Sequence, residues 1–243
     1  MSSSARSKEL VVHPELPVPV EIHPVRGARR LRLRFDERRG VLKLTCPIRT
    51  SRRNAMAWAV EQRDWVDAQI ADVLPGEPFA PGATIPIDGR ETRLIWTAGE
   101  SRIPGLADGA LRCGGPESMV PRRVETFLTR LAIDTLSCET AAVAAAAGVS
   151  PRSVTVGDAN ARWGSCSAER RIRYSWRLIL APPPARRYVV AHEVAHLVHL
   201  DHGPAFRKLE KRLFAELFEG DVDTARTLLR AVGPRLKRIG RGG

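Results

Sequence analysis

Basic and apolar residues alternate strictly over 30–35, as Arg30, Leu31, Arg32, Leu33, Arg34 and Phe35. A period of two sets Leu31, Leu33 and Phe35 on one face of a strand and the arginines on the other. Turn composition follows at 36–40, the alternation resumes as VLKLTC at 41–46, and Pro47 closes it, which predicts a β-hairpin. Thr50 or Ser51 can cap a helix over 51–74, with Ala59, Val66, Ile70 and Val73 on one stripe beside Trp58 and Trp65. Residues 75–89 are rich in proline and glycine, a short strand follows at 92–97, and 103–116 is again glycine-rich and irregular. These breaks place a domain boundary near 118. Beyond it Pro121 suits the first turn of a helix running to Ala147 and closed by Gly148. Strands are expected at 153–156 and 171–180, with a loop between them, and the prolines at 182–184 introduce a helix over 186–200.

The resulting organisation is a flexible N-terminus (1–19), a basic β-rich module with one helix (20–117), and an α+β domain (118–243). At 243 residues and 43% hydrophobic content the chain can bury a core unaided, so a bound metal would serve function before stability. No run of 18 apolar residues occurs and the start MSSSARSKEL is polar, so a soluble, cytoplasmic protein with no membrane partner is expected. Cys46, Cys113, Cys138 and Cys166 are scattered without a CxxC pair, which argues against a disulfide framework or a thiolate zinc site. The net charge is +12 but uneven: 26–53 hold eleven basic and two acidic residues, 75–117 four and six. An arginine-rich module of this kind can contact phosphates or an acidic partner, although the chain has no recognised nucleic-acid motif.

Chemistry concentrates in the last predicted helix, which reads His192-Glu193-Val194-Ala195-His196, an HExxH pattern. Residues four apart lie one turn above each other, so His192 and His196 can converge on one ion. Glu193, rotated by about 100°, sits beside the ion, where a carboxylate can take a proton from a metal-bound water. A catalytic zinc takes three protein ligands and keeps one open position. His199 shares the face but lies about 10 Å of helical rise from His192. His202, followed by Gly203 and Pro204, stands where the chain can fold back, and is the preferred third ligand; Glu210 and Glu216 are the alternatives. The flanks Val189, Val190, Val194, Ala195, Leu197 and Val198 are apolar, a setting in which two histidines and a glutamate are costly unless paired or metal-bound.

The run from Arg162 to Ser167 (RWGSCS), the strand from Ser175 to Leu178, the proline-containing link from Ala181 to Pro184, the helix from Tyr188 to Leu197 and the third-histidine element from His202 to Phe206 resemble the YgjP-like metallopeptidase family, SprT-related zincins. The hairpin and helix of 20–74 share in the likeness. It implies a zincin-like fold, a small antiparallel sheet plus the HExxH helix, with zinc held by His192, His196 and His202 and Glu193 as general base. Ser175, Gly203 and Arg207 depart from the family's usual Asn, Ser and Trp, and none of them is a proposed ligand. Arg177, Tyr174 and His199 are candidates for steadying an oxyanion. Cys166 as a nucleophile would define a different enzyme class, but nothing near it in sequence lowers its pKa. The expected function is zinc-dependent hydrolysis of a peptide bond in a protein or peptide substrate. The alternative is a metal-stabilised binding protein whose arginine-rich module docks nucleic acid or an acidic partner.

Overall fold

The computed structural model describes residues 9–36, 39–73, 76–158 and 162–241. The chain forms two compact units, 1–74 and 75–243. In the first, strands β1 (Glu9–Val11), β2 (Val20–Val25), β3 (Arg32–Asp36) and β4 (Val41–Pro47) make one sheet in the order β1-β2-β4-β3. The expected hairpin is the antiparallel β3–β4 pair, with Arg34 opposite Lys43. Residues 9–19 belong to this unit and are not a free lead-in, because β1 pairs with β2 and Leu16 is buried in the core.

The helix expected over 51–74 is two helices, α1 (Arg52–Glu61) and α2 (Arg63–Val73). Ser51 caps α1 by accepting from the Asn54 amide at 3.1 Å. At the break the buried Arg63 donates to Asp67 at 2.8 Å and to the Glu15 carbonyl, which ties α2 to the segment before β2. Leu42, Leu44, Ala55, Ala59 and Val66 fill the core between sheet and helices.

The second unit holds β5 (Thr84–Ile87), β6 (Arg90–Trp96), β7 (Gly105–Ala107), β8 (Ala110–Cys113), β9 (Ser153–Gly157), β10 (Gly164–Cys166) and β11 (Arg171–Ser175). Its helices are α3 (Val120–Ala146), α4 (Pro183–Ala195), α5 (Pro204–Leu217) and α6 (Val222–Leu236). The boundary expected near 118 falls inside this unit. The proline- and glycine-rich residues are turns of a second sheet, ordered β5-β6-β8-β7, whose Ile85, Leu94 and Leu111 enter one core with Leu128 and Leu136 of α3 and Val190 of α4. The strand expected over 171–180 stops at Ser175, and a 3-10 turn over 176–180 buries its side chains in succession. The sheet beside α4 is mixed, not antiparallel: in the order β10-β11-β9, β10 runs against β11 while β9 runs parallel to it. Among the described residues no helix is long and apolar enough to cross a membrane.

Buried arginines fix the frame around α4. Arg186, only 4% exposed, donates to both carboxylate oxygens of Glu139 on α3 (3.1 and 2.9 Å) and to Asp88 in the β5–β6 turn. Its guanidinium is held above its ordinary pKa by those carboxylates, against the opposing effect of burial. Removing the cation would leave Glu139 with Arg187 alone, at 3.3 Å, and open a hole beside α4, so Arg186→Met is expected to cost about 3 kcal/mol. Urea denaturation would read this as a lower midpoint at unchanged slope.

Candidate metal centre

α4 ends where its chemistry needs it to end. His196 is the C-cap residue (φ −68°, ψ −18°), and the next amides fold back on Val194 and Ala195. The helix expected to reach 200 therefore stops after one HExxH turn. The chain reverses through Asp201, whose carboxylate accepts from the Gly203 amide at 3.0 Å, and α5 starts at Pro204. This reversal swings His202 over the two helical histidines. Its Nε2 lies 3.1 Å from His196 Nε2 and 3.3 Å from His192 Nε2.

The outer nitrogens fix the tautomers. His196 Nδ1 donates to the His199 carbonyl at 3.0 Å, since a carbonyl oxygen only accepts, and His192 Nδ1 lies 2.7 Å from Glu210 Oε1, to which it donates when that group is a carboxylate. Both Nε2 atoms therefore present lone pairs to the point that His202 Nε2 also faces. Three imidazole nitrogens on one tetrahedral ion, each about 2.0–2.1 Å from it, would stand roughly 3.3 Å apart, so the observed spacing fits a single ion. Burial, reinforced by the neighbouring rings, holds His196 and His202 below the usual histidine pKa and favours the neutral, ligating form.

Glu210 and Glu216 were the alternative third ligands. Glu210 instead supports His192 from behind, and its other oxygen accepts from Arg226 of α6 at 3.5 Å. Arg226 also donates to the Tyr188 hydroxyl at 3.3 Å, giving a His192–Glu210–Arg226–Tyr188 chain across three helices. Glu216 is engaged with Arg212 on the surface. Phe206, fully buried, touches all three imidazoles at centroid distances of 4.6–5.1 Å and forms an apolar floor beneath them. Phe206 appeared in the sequence only as part of a family-like element, and Arg226 carried no local signal.

Glu193 is 4% exposed, on the side of α4 that meets β10. A Cβ placed on Gly164 would fall 2.4 Å from its Oε1 and 2.8 Å from Cδ, so the glycine of the RWGSCS run makes room for this carboxylate. Gly164→Ala is expected to push the Glu193 side chain aside, lowering turnover by tenfold or more while the metal stays bound. Unchanged turnover in that variant would show that the close approach has no bearing on activity.

The candidates for steadying an oxyanion divide differently. Arg177 is buried, donating to Asp158 at 2.8 Å and to the carbonyls of Leu236 (3.2 Å) and Ile239, so it secures the C-terminal segment. Tyr174 is fully buried and hydrogen-bonded to Thr140 at 3.0 Å, with its pKa raised by burial. His199 acts on the site through its backbone carbonyl. The Cys166 thiol is pushed up to about 11 by burial and then by the Glu193 charge, the reverse of what a thiolate nucleophile needs.

Two helical histidines with their outer nitrogens tied down, closed by a third from the following turn, form a cluster that could hold a single metal ion. Residues 29–219 match the YgjP-like metallopeptidase domain, and the chain belongs to that family. Membership brings a metal cofactor with it, and the three-histidine cluster is compatible with one. Neither curated proteins nor solved structures match the chain significantly.

Proposed function

We propose that the protein is a zinc-dependent peptidase in which His192, His196 and His202 hold the ion and Glu193 is the general base. The observation that carries this reading is the convergence of three Nε2 atoms within 4.8 Å of one another, two of them with their outer nitrogens fixed by acceptors. An all-imidazole set suits zinc among the common ions, since magnesium and calcium prefer oxygen ligands. When bound, the ion supplies Lewis-acid polarisation of the attacking water and of the scissile carbonyl.

The remaining work falls to the chain. Glu193 accepts the proton that the attacking water loses as its oxygen bonds to the carbonyl carbon. The same carboxylate then gives that proton to the amide nitrogen as the C–N bond breaks, leaving a carboxylic acid, which ionises to solvent, and an amine. Burial and the close approach of Gly164 limit the positions open to the Glu193 side chain. Among the described residues β10 is an edge strand of its sheet and lies against α4, so it can offer its outer edge to an extended peptide, which favours a peptide over a compact small-molecule substrate. A purely structural metal site would need no carboxylate beside its ligands, so Glu193 also weighs against the binding-protein alternative.

Metal removal tests the proposal. Dialysis against a chelator is expected to abolish hydrolysis of a denatured protein substrate, and one equivalent of zinc to restore it. Full activity in the metal-free protein would contradict the assignment.

A further inference from the structure

We propose that the exposed arginine face of the N-terminal unit docks the phosphate backbone of duplex nucleic acid. The first observation is charge left unneutralised. Arg26, Arg29, Arg30, Arg32, Arg34 and Arg49 are all exposed, and among the described residues none of the six has a side-chain hydrogen bond or an ion pair. Among the described residues the acids beside them are already engaged: Glu21 accepts from Arg39 at 2.9 Å, and Asp36 pairs with Lys43 at 2.6 Å. Those pairs cancel their own charges, and no described carboxylate lies in contact with the six guanidinium groups.

The second observation is arrangement. β2 and β4 run parallel and end together, with Val25 beside Pro47, so Arg26 and Arg49 leave the sheet at the same end. Arg29 and Arg30 lie in the connection from there to β3, and Arg32, opposite Thr45, opens that strand. Arg32 and Arg34 then continue along the sheet edge on its solvent face, separated by roughly 6.6 Å of strand rise. Comparable steps separate successive phosphates on a nucleic-acid strand. The result is a line of planar, bidentate donors, which suits a regular polyanion better than the scattered carboxylates of an acidic protein.

The third observation selects duplex over single strand. Sequence-tolerant single-strand sites stack bases on aromatic side chains. Here Phe35 and Leu33 point to the opposite face, where they pack on the core with Trp58 and Trp65. The face of β3 and β4 turned from the core carries Arg32, Arg34 and Asp36 beside Val41, Lys43, Thr45 and Pro47; with Lys43 paired to Asp36, the two arginines are left to grip phosphates, and no residue of the face offers an aromatic stacking platform. Such contacts carry no sequence information and depend strongly on salt.

The test uses the full chain and fluorescence anisotropy with a labelled duplex DNA, a duplex RNA and a single strand of equal length, titrated at 50 and 200 mM salt. If six phosphates are neutralised, affinity is expected to fall about a thousandfold between those salts. Replacing Arg30, Arg32 and Arg34 with Gln should reduce that fall to about forty-fold. A control replacing the exposed Arg122, Arg130 and Arg152 with Gln removes the same net charge and should leave the native salt dependence. Tighter binding to one duplex names the source of the backbone. The proposal is overturned by no binding at 50 mM salt, by an unchanged salt dependence in the Arg30/Arg32/Arg34 variant, or by equal flattening in the control. Tighter binding to the single strand, or displacement by poly-glutamate as effective as by duplex, also overturns it. None of these outcomes depends on the peptidase reading, because no residue of the histidine cluster is altered.

Discussion

Alanine at His192 or His196 is expected to leave the purified protein without stoichiometric metal, whereas the native chain carries about one ion. If a binding free energy of about 10–16 kcal/mol divides over four coordination positions, each imidazole accounts for roughly 3 kcal/mol, more than a hundredfold in affinity. His202→Ala should behave like the helical pair, because its Nε2 faces both of theirs at 3.1 and 3.3 Å. His199→Ala should retain the ion, since it is the backbone carbonyl of that residue that holds His196. Glu210→Gln keeps a hydrogen-bonding partner for His192 but loses its charge, so a milder loss, about 10- to 100-fold, is expected. Elemental analysis of the five variants in parallel gives the ranking. Greater metal loss from His199→Ala than from His202→Ala would overturn the third ligand.

Glu193→Gln separates binding from chemistry. The substitution keeps size and polarity but removes the group that accepts and returns the proton, so turnover is expected to fall about 10²- to 10⁴-fold, or roughly 3–5 kcal/mol of barrier. Metal content should be unchanged, because the three imidazoles are intact. A variant that lost its metal would place Glu193 among the ligands. One that kept its turnover would remove it from the reaction. The same experiment bears on Cys166: Cys166→Ala should retain activity, because its thiol is held far above neutral pH by burial.

Much of the site could be read from sequence because its determinants are local. The HExxH spacing follows from the helical repeat, and Gly203-Pro204 marks the reversal that returns His202. Glu210 was visible as an available carboxylate, but its place behind His192 depends on how α5 packs against α4, which no local pattern records. The same holds for Arg226, which reaches Glu210 and Tyr188 from a third helix. Gly164 has the composition of a turn residue, yet it lies in a strand and its lack of a side chain serves Glu193, 29 positions away in the chain.

Of the sheet built from 84–113 only the strand expected at 92–97 is legible, as β6. The proline and glycine content around it reads as a break between domains, but Asp88-Gly89 and Asp108-Gly109 have positive φ at both residues (50° and 73°, 51° and 72°), as type I′ hairpin turns require. An Asp-Gly pair between apolar alternations was therefore a hairpin signal present in the sequence. Gly89 also packs against Pro182, where a Cβ would come within 2.7 Å of the ring, joining that hairpin to the start of α4. The hairpin and the helix that carries the histidines are thus parts of one unit, which is why the boundary moved to 74/75.

The central claim is that Glu193, beside three metal-binding histidines, makes this chain a peptidase. Its most direct test is a proteome-wide comparison of new amino termini produced from a cell extract by the native protein and by Glu193→Gln, both zinc-loaded. A set of cleavages present with the native protein and absent with the variant is the expected result. Identical sets from both proteins, or no cleavage by the native protein, would contradict it.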